Sequence, residues 1–175
     1  MRTVMFTTLL QKEKFFNTPE EALRFSVDNA RARRAQQDLL SIKGSCVIDG
    51  RCEQSAVTFV LSNGLDLIYY LGDQTVDWRL ERQTSGAHRH CIETEPIILK
   101  SEFGEGVFDP LATLRQCLGR KVLDMSAGGA SAQLLLTALP LIFTPCREIG
   151  TGRLFIHWFA LGEPDEKDAP TDHMQ

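Results

Sequence analysis

The feature that most constrains the fold is that the chain carries one pattern twice. Gly44, Val47, Ile48 and Asp49 recur, at one constant offset, as Gly119, Val122, Leu123 and Asp124. Ser55 and Ala56 recur as Ser131 and Ala132 with that offset lengthened by one, and Leu67, Ile68 and Tyr69 as Leu141, Ile142 and Phe143 with it shortened by one. An offset that drifts in this way is what length changes in turns produce, because turns lie at the surface and lengthening a loop costs little entropy. The pattern predicts two related supersecondary units, with residues 42–71 and 118–143 in the same strand order and direction. A unit of about 75 residues buries too little surface to be stable alone, so the two are expected to share one core.

Local signals fill in the units. Residues 3–9 are β-branched and apolar enough for a strand. Thr18 as N-cap, Pro19 in the first turn and Glu21 three residues after the cap open a helix over residues 19–40. Its inner stripe reads Ala22, Phe25, Asn29, Ala32, Gln36, Leu39, which is narrow and half polar, and Leu23, Val27 and Leu40 fall outside it. From residue 46 the period changes to two. Residues 56–61 are apolar on both faces, as in a central strand, and Asn63-Gly64 offers two positive-φ positions for a tight hairpin into residues 65–71. Val76, Trp78 and Leu80 then alternate with Asp77, Arg79 and Glu81, and residues 45–49 supply a fourth strand.

Residues 83–95 are polar and read as the connection between units. Residues 96–100 follow as a strand, and Gly104-Glu105-Gly106 as a turn. Asp109 and Pro110 open a second, short helix with Leu111, Leu114 and Leu118 on one face, closed by Gly119. Strands are expected over residues 121–127, 131–139, 141–146 and 153–161. Trp78 and Trp158 sit at the end of each copy, at a somewhat longer offset than the rest. The fold class is therefore α+β: two pseudo-repeated units, each a helix plus an antiparallel β-meander, packed as one domain over residues 1–161. Unit one spans about 1–82 and unit two about 96–161, while the acidic, proline-bearing residues 162–175 are expected to be disordered.

With 43% hydrophobic and 24% charged residues, the composition is that of a soluble globular chain. A formal charge of −4 argues against nucleic acid or an anionic membrane as partner, since both require a dense basic surface. The apolar run at the N-terminus is broken by Lys12, Glu13 and Lys14, which makes a poor signal peptide, and no apolar stretch reaches membrane-spanning length. Five cysteines without a CxxC suit reduced thiols, and hence a cytoplasmic location.

Candidate chemistry is thin. His88 and His90 share a face of an extended segment beside Cys91, which is half of a zinc site; no second ligand pair accompanies them, and a polar linker accounts for the segment. A cysteine nucleophile with His157 as base would need a thiol next to a base or at a helix N-terminus. Cys117 lies at the wrong end of its helix, Cys46 and Cys146 lie in apolar patterns, and His157 between Ile156 and Trp158 reads as a core or interface histidine. Gly128-Gly129 lacks the Lys-Ser/Thr and following helix of a phosphate loop and reads as a turn. Arg24, Arg31, Arg33 and Arg34 are interleaved with acids, as on a solvated helix face.

The leading expectation is a non-catalytic protein-binding module (an adaptor, regulator or immunity-type inhibitor) without cofactor, its partner another protein or a second copy. Leu23, Val27, Arg31 and Arg34 form the expected contact surface. The alternative is a metal-binding protein or small enzyme built on His88/His90 or His157.

Overall fold

The structure, a computed structural model, describes residues 4–7, 13–16, 18–84, 97–101, 104–148 and 150–161. Over the described residues it is α+β, with two four-stranded antiparallel sheets, two two-stranded hairpins and two helices. A hairpin, β1 (Val4–Thr7) with β2 (Glu13–Phe16), leads into helix α1 (Pro19–Ile42). A meander follows: β3 (Val47–Cys52), β4 (Ala56–Leu61), β5 (Leu65–Leu71) and β6 (Val76–Arg82), paired in chain order. The same succession then recurs. Hairpin β7 (Ile97–Ser101) and β8 (Gly104–Phe108) precedes helix α2 (Pro110–Cys117). The second meander is β9 (Val122–Gly128), β10 (Ser131–Leu136), β11 (Leu139–Arg147) and β12 (Leu154–Ala160).

Several local expectations are corrected. Gly104-Glu105-Gly106 is not a turn but the start of β8, paired with Leu99, Lys100 and Ser101. The sequence pattern gives no sign of β2, and α1 runs two residues past its expected end. At the first hairpin only Gly64 adopts positive φ, +88°. Asn63 instead holds the turn with its side chain, accepting from Leu65 N–H at 3.1 Å and donating to Ser41 O at 2.8 Å. The second hairpin turns at Thr137-Ala138, Ala138 taking φ +53°, so Pro140 lies inside β11. Most of the connection, residues 85–95, and the acidic tail 162–175 lie outside the described residues.

Strand register aligns the two meanders. Val57 pairs with Tyr69 and Ala132 with Phe143, so Ala132 corresponds to Val57 and not to Ala56. Both meanders open with the same irregularity. Val47 pairs with Leu61 and Asp49 with Val60, leaving Ile48 as the extra residue of a bulge; Val122 pairs with Leu136 and Asp124 with Leu135, leaving Leu123. In each bulge the aspartate accepts the next backbone N–H at 2.8 Å, from Gly50 and from Met125.

The hydrogen bonds joining the meanders come in matched pairs. Gly44 N–H donates to Val122 O and Gly119 N–H to Val47 O, at 2.8 and 2.7 Å. Val47 N–H donates to Arg120 O and Val122 N–H to Ser45 O, both at 2.9 Å. Cys46 bridges Lys121, the residue at the matching position before the other meander. At the far end Val76 N–H donates to Ala130 O and Ile156 N–H to Gln54 O, so each last strand is tied to the first turn of the other meander. Gly44 and Gly119 hold φ of +84° and +81°, a conformation that disfavours a Cβ, which is why glycine stands at both crossing points.

The inner faces of the sheets share one core. Tyr69 and its counterpart Phe143 stack at 4.0 Å, Phe143 stacks on Trp158 at 5.6 Å, and Phe59 meets Tyr69, Phe143 and Trp158 edge-on. The helices cross over: α1 packs on β9, and α2 on β3 and β12. Their buried residues correspond, Ala35, Leu39 and Ile42 in α1 to Pro110, Leu114 and Cys117 in α2, at the same offset that relates Gly44 to Gly119. α2 thus matches only the last turns of α1.

Candidate functional site

What α1 has and α2 lacks is its N-terminal two-thirds. Gly44 binds Val122, Gln36 donates to Met125 O at 2.6 Å, and Arg31 donates to Gly129 O in the β9–β10 turn and to Val76 O. The helix therefore runs antiparallel along the whole of β9, and residues 19–30 continue past the strand end; the β1–β2 hairpin packs against the same helix. At 1.5 Å per residue this projection is roughly 18 Å long.

Arg31 and Arg34 anchor it. Arg34 donates to Trp78 O at 2.9 Å and pairs with Asp77, and its guanidinium lies 4.1 Å from the Trp78 ring centre, with Arg31 at 5.7 Å. Trp78 Nε1–H donates to Asp38 at 2.9 Å. Burial would raise the Asp77 carboxyl, but the Trp78 N–H and the Arg34 guanidinium outweigh it and hold the group below its ordinary range. Val76 and Trp78 belong to a sheet edge, so the arginines satisfy carbonyls that no neighbouring strand can reach.

Of the four residues expected to meet a partner, Arg31 and Arg34 therefore bind the chain's own β6. Leu23 and Val27 do not: they are 66% and 51% exposed, one turn apart and turned away from the side of α1 that Ala35 and Leu39 bury. Arg24 is exposed beside them.

A second surface is not evident from the sequence. The outer faces of the two sheets differ although their positions correspond. On sheet one, Thr58, Val60, Asp66 and Ile68 are all buried. Their counterparts on sheet two, by register, are Gln133, Leu135, Pro140 and Ile142, and these are exposed or half-exposed. With Asp124, Ser126 and Leu161 they line a shallow depression of about 190 Å³. Asp124 stands on its rim; its Oδ1 takes the bonds from Met125 N–H and, at 3.2 Å, from Gln36. A partial signal lies in the alternation: outward positions of β6 read Asp77, Arg79, Glu81, whereas those of β11 and β12 read Pro140, Ile142, Thr144 and His157, Phe159, with no fixed charge.

The catalytic and metal candidates separate. His157 lies half-buried on the outer face of β12, its ring 5.0 Å from Phe108 and 5.1 Å from Phe159, and burial lowers its pKa. Burial pushes the Cys117 thiol up to about 12, where it stays protonated. Cys46 and Cys146 are half-buried. His88, His90 and Cys91 lie outside the described residues. Among the described residues no group of three or more His, Cys, Asp or Glu could hold a metal ion, and no helix is long and apolar enough to cross a membrane.

No protein-family model matches the chain, and neither a curated protein nor a solved structure matches it.

Proposed function

We propose that the chain is an internally duplicated, non-catalytic protein-binding module, an adaptor, regulator or inhibitor that works by occupying a surface of another chain. The observation that carries this reading is the division between what the halves share and what they do not. The shared features are the bulge inside each meander and the glycine crossings, buried helix turns and Tyr69–Phe143 stack that hold the halves together. The unshared ones are the projecting turns of α1 with Leu23 and Val27, and the open face of sheet two. Apolar surface that the scaffold does not use is where a partner gains affinity.

The test is Leu23→Lys with Val27→Glu. Both side chains are exposed, so the melting transition should move by no more than the surface range of about 0.5 kcal/mol. Association, followed by light scattering and by affinity capture with mass spectrometry, should be lost. Unchanged association and capture with both substitutions in place would rule the α1 surface out.

A further inference from the structure

We infer that the partner of the α1 projection is a second copy of this chain, with the projection of each copy lying on the open face of sheet two of the other. This rests on the contact surface proposed above and names its occupant. The argument is complementarity within one molecule. The depression has an apolar wall of Leu135, Pro140, Ile142 and Leu161, and a polar wall of Ser126 and Gln133 with the Asp124 carboxylate on the rim. Among the described residues Asp124 Oδ1 takes both hydrogen bonds and Oδ2 takes none. The projection offers the reverse: apolar Leu23 and Val27 one turn apart, with the Arg24 cation beside them.

The distances agree. Asp124 lies level with Gln36 of its own helix, roughly 18 Å along the axis from Arg24. When two α1 helices lie antiparallel and cross near residue 30, Arg24 of each falls level with Gln36, and so with Asp124, of the other. A two-fold arrangement makes the same contact twice, since residue i meets j and j meets i. This doubles the area buried, and area is what separates specific complexes from weak encounters.

Charge reversal tests the arrangement. The wild-type chain, followed by sedimentation equilibrium up to about 1 mM because small interfaces associate weakly, should dimerise. Arg24→Asp alone sets a second carboxylate against Asp124 at both contacts, Asp124→Arg alone sets a second guanidinium against Arg24 at both, and each should weaken the dimer at least tenfold. An equimolar mixture of the two variants has one native and one reversed pair and should recover wild-type affinity. Leu135→Glu should abolish the dimer from the sheet side. Should Asp124→Arg disturb folding by losing the Gln36 contact, Asp124→Asn keeps the amide acceptor and should still weaken association and flatten its salt dependence. A wild-type chain monomeric throughout the range, or a mixture no tighter than its components, overturns the second-copy inference. In that case Leu23→Lys/Val27→Glu decides the underlying proposal separately: it stands if the pair abolishes capture of a different protein and falls if capture is unchanged.

Discussion

The two helices close equivalent seams by different physics. At the α1 seam, between β6 and β9, three polar side chains reach sheet-edge carbonyls: Arg31 to Val76, Arg34 to Trp78 and Gln36 to Met125. At the α2 seam, β3 meets a helix of 8 residues in which the counterpart of Gln36 is Leu111. The positions matching Arg31 and Arg34 are Gly106 and Asp109, which precede the helix. That seam carries one weak thiol bond, from Cys52 to Pro110 O at 3.6 Å, and otherwise closes by fit. Gly50 stands where the other half has Met125, and without a side chain it lets Leu114 lie against β3. A hydrogen-bonded seam tolerates small shifts and leaves its helix free to be long; a packed seam tolerates neither an added methyl nor a displacement.

The largest expected effect is therefore at the packed seam. A Cβ at Gly50 would lie 2.7 Å from Leu114 Cδ1 and 2.8 Å from Thr58 O, and the second of these is backbone that cannot rotate away. Gly50→Ala should cost roughly 1–3 kcal/mol in urea denaturation, the range for overpacking a filled site. A variant as stable as wild type would show the α2 seam to be as yielding as the other and end the contrast.

Arg34→Ala should come next. It removes a charge-assisted bond to Trp78 O, the Asp77 pair and the cation over the indole. With its side chain 43% exposed, much of the electrostatic part is screened, and about 1–2 kcal/mol is expected. Half-molar salt should shrink the difference. Arg115→Ala on α2 is the control and should stay within about 0.5 kcal/mol. Equal losses at Arg34 and Arg115 would mean that the clasp at β6 contributes nothing particular.

The centre of the core offers a sharper comparison of the halves. Tyr69 and Phe143 are counterparts stacked on each other, yet the Tyr69 hydroxyl is enclosed with no hydrogen-bond partner among the described residues. Burial pushes that phenol far above its ordinary range, so it is neutral at neutral pH. Tyr69→Phe makes the pair identical and deletes an unsatisfied polar atom. The variant should match wild type or exceed it by up to about 1 kcal/mol in thermal unfolding. A clear loss would reveal a bonded hydroxyl.

How much of this is legible in the sequence follows from range. The caps Thr18-Pro19-Glu21 and Asp109-Pro110 act within one helical turn, and both helices start where they predict. The bulged Val-x-Asp motif and the alternation Val76, Trp78, Leu80 likewise act within a strand pair. The role of Arg31 and Arg34 is not legible, because their partners lie a whole meander away in β6 and interleaved acids make the helix look self-paired. Nor is the crossing of the helices, which depends on which strand edge each finds. The open face of sheet two is half legible. Its lack of charge is in the sequence, but exposure depends on what the rest of the chain covers, as the buried Val60 and open Leu135 demonstrate at matched positions.

The smallest expected effect compares the last strands, where Asp77 and His157 occupy corresponding positions beside Trp78 and Trp158. Both have folded-state pKa values below their ordinary ones, for opposite reasons. Asp77 is held charged by the Trp78 N–H and Arg34; His157 is held neutral by burial among Phe108, Phe155 and Phe159. For both, the unfolded chain takes up the proton first as pH falls, so stability is lost on acidification, but in different windows. The His157 contribution is complete above its ordinary value of 6.5 and declines as pH drops from there through its lowered folded value. The Asp77 contribution is complete above 3.8 and declines only below it. Thermal unfolding followed from pH 8 to pH 3 should therefore show two separate losses. His157→Phe should erase the upper one while leaving the lower, and Asp77→Asn the reverse. A single loss near pH 4 in wild type, unchanged by His157→Phe, would mean that His157 is as accessible to protons in the fold as out of it, and that the aromatic face of β12 is looser than its ring distances indicate.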